Sequence, residues 1–384
     1  MPTDFEKRCN VIARHAKDRT DVAERDRRIP DDSIRELKEA GFFRAFTPYR
    51  YGGDEVQLLP IFEGLIQIAQ GCASTAWVAG LVSIHNFFFR LFEQRAQDEL
   101  WANGPDLLVG SSVAPAGSAR RLPGGYGVRG RWPFVSGIDH CSWALITAKV
   151  SSDHDDPKSH IFLVPSSDYS ICDDWHVAGL RATGSKSIEI REELFVPEHR
   201  ARLFHLNAPK PEQQNACWQD YVSWEALFRL AFVPPAIGNA LAMLAAYREH
   251  IATRRAPYTG ICFADKQSSL VRLAYSSADI DAARLVLRRD LEEIDQLARS
   301  SRSFPQTSVG RIFFDVAYIL DRCNQAVDRL FLGSGGKALY EQSPLQRCFQ
   351  DMHAIRQHAA ADVDLAGELF GRLIIVSGDQ SAIR

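Results

Sequence analysis

At 384 residues the chain has room for two or three packed modules. Its 46% hydrophobic and 24% charged residues are the balance of an ordinary globular protein. A formal charge of −3 supplies no field to draw in nucleic acid or an anionic membrane, so neither is expected as a partner. The eight cysteines are scattered, with no C-x-x-C and no Cys/His pair at zinc spacing, which predicts buried free thiols and no metal site. The charged N-terminal stretch lacks the apolar run of a signal peptide, and a cytoplasmic protein is expected.

Taken in chain order, residues 1–106 read as a helical domain. Asp21 to Glu39 mixes charge with periodic apolar residues, Pro30 marks a helix start, and from Leu58 to Leu91 apolar residues recur densely at helical spacing. Between 107 and 210 the apolar runs become short and end in Gly, Pro, Asp or Ser: LLVG, WALITAKV, HIFLVP, YSIC, SIEI and LFVP. With a hairpin signal at Gly124-Gly125, these predict a β domain. Helical character returns over 211–384, as four long segments at 223–254, 266–300, 308–332 and 345–374. Leu230 to Tyr247 carries no charge but includes Pro234, Pro235 and Asn239, and so reads as a helix buried in a bundle rather than a membrane span. The expected class is α+β, mostly α.

The commonest chemical signatures are missing. There is no G-x-G-x-x-G opening a βαβ unit, no P-loop, no G-x-S-x-G and no H-E-x-x-H, which disfavours a nicotinamide enzyme, an NTPase, a hydrolase and a metalloprotease. Three constellations remain. Trp132-Pro-Phe-Val-Ser136-Gly137 through Trp143 is either a turn with core aromatics or a wall on which Ser136 faces a planar ligand flanked by Trp132 and Phe134. Gly179-Leu-Arg-Ala-Thr183-Gly-Ser185 is either a glycine-rich turn or a loop that lets a ligand approach backbone. In Phe349 to Ala360, His358 shares a helical stripe with Ile355, Asp362 and Leu365, where a core histidine is the ordinary reading. His85, within VSIHNFFF, invites the same two readings.

In this order these segments resemble the acyl-CoA dehydrogenase superfold, and within it the oxygenase components of two-component, reduced-flavin-dependent aromatic monooxygenases. The matching stretches are Gly71 to Trp77, Ala96 to Trp101, Gly125 to Gly137, Asp139 to Trp143, Gly179 to Ser185, Asp328 to Gly336 and Phe349 to His358. The resemblance implies an N-terminal helical domain, a middle β domain and a C-terminal four-helix bundle, assembled as a homotetramer. It also implies reduced FMN as cofactor, with FADH2 the alternative, used with O2 and delivered by a separate NAD(P)H:flavin reductase. The implied reaction is hydroxylation of a phenolic or other aromatic substrate, ortho to its hydroxyl, through a C4a-hydroperoxyflavin.

Carried over by resemblance, Ser136 lies beside flavin N5 and C4a and donates a hydrogen bond there. His358 faces flavin and substrate as the acceptor of the phenol proton, and His85 is a further active-site histidine. Trp132, Phe134, Thr183 and Ser185 line the flavin, while Gly335, Gly336 and either Arg254 or Arg255 meet its phosphate across a subunit interface. Acyl-CoA dehydrogenases need a carboxylate base, and the corresponding stretch here is Arg356-Gln357-His358-Ala359-Ala360. The base of other relatives falls at Phe228, one turn from Glu225. A dehydrogenase-like FAD enzyme and an N- or S-oxygenase are the competing expectations.

Overall fold

The computed structural model describes residues 3–151, 158–204, 218–300 and 304–377. Cys217 and the expected domain boundary at 210 lie outside them. Six helices come first: α1 (Asp4–Asp18), α2 (Thr20–Asp26), α3 (Asp31–Ala40), α4 (Leu58–Ala69), α5 (Ala73–Phe88) and α6 (Gln94–Leu100). Thr3 and Glu6 form a capping box that starts α1. α3 begins after Pro30 and stops at Gly41, whose φ of 93° is the left-handed cap that favours glycine. Every residue of α5 is buried, which explains its lack of a polar face and makes it a scaffold inside the molecule.

Seven strands follow: β1 (Val109–Leu122), β2 (Gly125–Val135), β3 (Trp143–Ser151), β4 (Lys158–Pro165), β5 (Ser170–Cys172), β6 (Lys186–Pro197) and β7 (Ala201–Leu203). They form one sheet in the order β5-β6-β2-β1-β3-β4-β7. β1 and β3 are parallel and the other neighbours antiparallel. The runs SIEI and LFVP are one strand, β6. β1 and β2 are the expected hairpin, with Leu122 opposite Gly125. The register of β2 against β6 shifts between Trp132 and Val135, where Phe134 takes φ 62°. That bulge re-aims the strand end just before Ser136.

The C-terminal block holds α7 (Trp224–Leu230), α8 (Val233–Thr253), α9 (Gln267–Arg299), α10 (Gln306–Ser334), α11 (Pro344–Arg356) and α12 (Val363–Ser377). The stretch Trp224–Thr253 is long and apolar enough to cross a bilayer, but 72% of its most apolar window is buried inside the protein. The expected fourth helix, 345–374, is instead two, α11 and α12. The chain breaks at Gln357–Asp362, where His358 adopts φ −71° and ψ 142° and precedes a single 3-10 turn. His358 therefore does not belong to a helical stripe with Ile355 and Leu365. One apolar cluster runs from α1 through the sheet to α11, with Trp132, Phe162, Phe232 and Tyr247 among its large buried members.

Candidate active site

Helix α5 positions the centre of the site because it is packed on all sides. Its Trp77 Nε1 donates to Ser136 Oγ at 3.1 Å, and its ring meets the His358 ring edge-on, centroids 5.8 Å apart. One indole thus bridges the strand-end serine and the imidazole in the α11–α12 break. Phe232, the residue before α8, packs its ring tilted against His358 at 3.8 Å and against Trp77 at 5.1 Å.

The hydroxyls next to Ser136 form a chain of fixed direction. Ser136 Oγ lies 2.8 Å from Ser185 Oγ, Ser185 Oγ lies 2.7 Å from Thr183 Oγ1, and Thr183 Oγ1 donates to the Leu180 carbonyl at 2.8 Å. An indole N–H only donates and a carbonyl only accepts. With Thr183 donating to Leu180, Ser185 donates to Thr183 and Ser136 donates to Ser185. Ser136 therefore keeps a lone pair but has already committed its proton to Ser185.

The two histidines have opposite polarity for the same kind of reason. The Ala360 N–H donates to His358 Nδ1 at 3.1 Å, so a neutral ring holds its proton on Nε2 and offers a donor. His85 Nδ1 lies 2.7 Å from the Val109 carbonyl, which fixes its proton there. Its Nε2 is thus an acceptor, 2.8 Å from Ser111 Oγ. Burial pushes the His85 pKa down to about 4. Burial and the nearby positive charge of Arg229 push that of His358 down to about 4. Both rings are neutral at pH 7. Phe228 lies between them, 6.4 Å from His85 and 5.5 Å from Phe232. The position of the dehydrogenase base is thus aromatic. The Glu225 carboxyl is buried, its Oε1 has no hydrogen-bond partner, and burial holds it in its neutral form more strongly than usual.

Other expected residues fall elsewhere. Trp132 is fully buried, its Nε1 donates to the Thr147 carbonyl at 2.8 Å, and its ring packs against Gly117. It is a core residue and not a lining of an open site. Phe134, 69% exposed, stands beside the Trp175 ring because the bulge turns it the other way. Arg254 donates to the Ser334 carbonyl and lies against Gly335, where an added Cβ would come within 2.3 Å of the guanidinium. Arg255 is exposed and donates to Gly260, so Arg254 is the arginine at the glycine turn. Gly336 is open, with nothing near its Cβ position. Phe232 and Arg254 cap opposite ends of α8, about 30 Å apart at 1.5 Å per residue. The chain therefore brings together Ser136, Thr183, Ser185 and His358, and places His85 across Phe228 from them. It does not bring Arg254 and Gly335 to the same place. Trp77, Phe232 and Ser111 carried no sequence signal of a role: Trp77 stood inside a matching stretch, and nothing in its spacing marked the indole as a bridge.

Residues 230–363 match the acyl-CoA dehydrogenase C-terminal domain family. The oxygenase subunit HsaA of a flavin-dependent monooxygenase from Rhodococcus jostii is 35% identical, over 95% of this chain and 96% of its own length. The oxygenase component of p-hydroxyphenylacetate 3-hydroxylase from Acinetobacter baumannii is 31% identical over 96% of this chain and 88% of its own. The chain belongs to the family of flavin-dependent monooxygenase oxygenase components. Its fold is that of the acyl-CoA dehydrogenases. The structure of XiaF from Streptomyces, solved with FADH2 and glycerol, superposes with a TM-score of 0.89 at 28% identity, covering 97% of this chain and 95% of the other. As an oxygenase component the enzyme uses reduced flavin and O2, with a separate reductase as partner.

Proposed function

We propose that the enzyme hydroxylates a phenol ortho to its hydroxyl, with FMNH2 as the working flavin, as a cytoplasmic homotetramer. A phenol substrate class is supported by the named activity of the p-hydroxyphenylacetate relative. The observation that carries the reading is that one side chain, Trp77, contacts both Ser136 and His358.

The residues present fit a reduced flavin. Its N5 carries a hydrogen and needs an acceptor, and Ser136 offers one because its own proton is committed to Ser185. Thr183 and Ser185 hold that polarity in place. Arg254 with the amides of Gly335 and Gly336 has the chemistry a phosphate requires, provided it comes from a second copy. When bound, the flavin supplies the two electrons that activate O2 for insertion of one oxygen atom into the ring.

The protein's own residues then manage protons and water. His85 shares the phenol proton through Ser111: the Ser111 hydroxyl donates to His85 Nε2, and its own oxygen is left to accept the phenol O–H. Sharing that proton makes the phenol oxygen phenolate-like and raises electron density at the ortho carbon. His358 holds its proton on Nε2 and donates toward the ring system, so the acceptor role that resemblance assigns to it belongs to His85 in this reading. Phe228, Phe232 and Trp77 exclude water, which protects coupling. The test supplies chemically reduced FMN and O2 to pure protein with a panel of phenols. His85→Gln is expected to lower product formation about 10²–10⁴-fold, the usual worth of a positioned base, with flavin still bound. Full coupled turnover in that variant would remove His85 from the mechanism.

A further inference from the structure

We infer that Asp351 on α11 and Glu24 on α2 are positioning residues that hold the 179–185 loop in the shape that aims its hydroxyls at Ser136. The inference rests on the reading of that loop as the flavin loop. The loop is held in a costly conformation. Leu180 is a left-handed non-glycine residue at φ 52° and ψ 34°, a region that branched and bulky side chains rarely adopt. Something outside the loop must fix it there.

Three features do so. The Leu180 N–H donates to Asp351 Oδ1 at 2.7 Å. Gly179 is pressed onto α11 so closely that an added Cβ would lie 2.1 Å from the Gln350 carbonyl and 2.9 Å from the Asp351 nitrogen. Two residues further on, the Ala182 N–H faces the Glu24 carboxyl, whose Oε1 is buried without a partner. The carbonyl of the same Leu180 ends the hydroxyl chain from Trp77 through Ser136, Ser185 and Thr183, and also accepts from Trp175 Nε1 at 3.3 Å. A shift of residue 180 would therefore reverse or break the polarity that leaves Ser136 an acceptor.

The carboxyls are poorly compensated. Arg181 stands 3.9 Å from Glu24, and the described residues provide Asp351 with no ion pair within 4 Å. The charged and titratable groups that face the pair are Arg181 from the loop, Arg347 and Cys348 from α11, Asp21 from α2 and Cys72 ahead of α5. Burial and the neighbouring Glu24 push the Asp351 pKa up to about 7, so the pair shares a proton below that pH. A carboxyl raised in the folded state binds its proton more tightly there than in the unfolded chain. Stability is therefore lost as pH rises from about 4 towards 7.

The test compares Asp351→Ala, Asp351→Asn, Glu24→Ala and Ser136→Ala in the full chain. Anaerobic titration with reduced FMN gives affinity, peroxide yield gives coupling, and melting temperature is followed from pH 5 to 9. Asp351→Ala should weaken FMN binding about tenfold and raise peroxide in the same sense as Ser136→Ala. Asp351→Asn, which keeps an acceptor for the Leu180 N–H but has no proton to lose, should recover most of that loss and melt higher than the parent above pH 7. Glu24→Ala, at a partly exposed position, should shift affinity in the same direction by a smaller factor and serves if Asp351→Ala does not fold. Wild-type affinity and coupling in folded Asp351→Ala, or in Glu24→Ala when that is the folded one, overturn the inference, as does Asp351→Asn no better than Asp351→Ala. If Ser136→Ala changes neither quantity, the flavin-loop reading fails and the inference with it. If Ser136→Ala acts while the carboxyl variants do not, only the inference fails.

Discussion

The two ends of α8 differ in completeness. At the Phe232 end, Trp77, Ser136, Ser185 and Thr183 are joined by hydrogen bonds within the same chain, and a backbone group of that chain fixes the tautomer of each histidine. At the Arg254 end, the guanidinium leans on a glycine turn, while Tyr258, Leu332, Leu339 and Tyr340 stand exposed. The contrast teaches that, on the proposed reading, the catalytic end is built within one chain, whereas the proposed phosphate end is presented outward, about 30 Å away along α8. A single flavin held by both needs a second copy.

The sharpest way to break the comparison is at the complete end. Ser136→Ala removes the acceptor for Trp77 and the free lone pair that Ser136 offers at the head of the hydroxyl chain. Losing one buried hydrogen bond of about 1.4 kcal/mol corresponds to tenfold. About tenfold more peroxide per product is therefore expected in a coupled assay, and an unchanged ratio would show that the serine does not act on the flavin.

At the outward end the expected effect is smaller, because the guanidinium of Arg254 is only half-buried and its charge is partly screened. Arg254→Ala should weaken FMN binding about fivefold without changing the peroxide-to-product ratio of the flavin that does bind. The comparison sharpens if the two variants are mixed. An assembly of Arg254→Ala and Ser136→Ala chains contains sites with an intact serine face from one chain and an intact arginine from the other. Affinity and coupling should recover together in a fraction of sites. Mixtures that behave as the average of the two parents would show that the arginine does not serve a neighbour's site.

Much of the fold was legible because burial sets periodicity: α4, α5 and the long bundle helices follow their apolar spacing, and the strands follow their short apolar runs. The site was legible less evenly, and particular residues show why. Ala359-Ala360-Ala361 favours helix, yet the chain breaks there because the His358 ring caps the Ala360 N–H, a local hydrogen bond that no periodicity reveals. The acceptor polarity of Ser136 depends on a carbonyl at residue 180 and an indole at residue 77, contacts 44 and 59 residues away along the chain. Asp351 sits in a matching stretch, but its partner is a backbone N–H on another element.

Trp132 offers the smallest expected effect and the cleanest check on that lesson. Trp132 and Phe134 were both expected at the flavin by resemblance. The bulge between Trp132 and Val135 separates them, leaving the indole in the core with its N–H on Thr147 and the phenyl ring in solvent. Trp132→Phe keeps most of the apolar volume and deletes that one hydrogen bond, worth about 1 kcal/mol. A fall of a few degrees in melting temperature is expected. FMN affinity and peroxide yield should stay within twofold of the parent, since the ring touches neither Ser136 nor His358. Weaker flavin binding without a matching loss of stability would mean that the indole reaches the cofactor, and that the bulge does not divide core from site where the register shift puts the division.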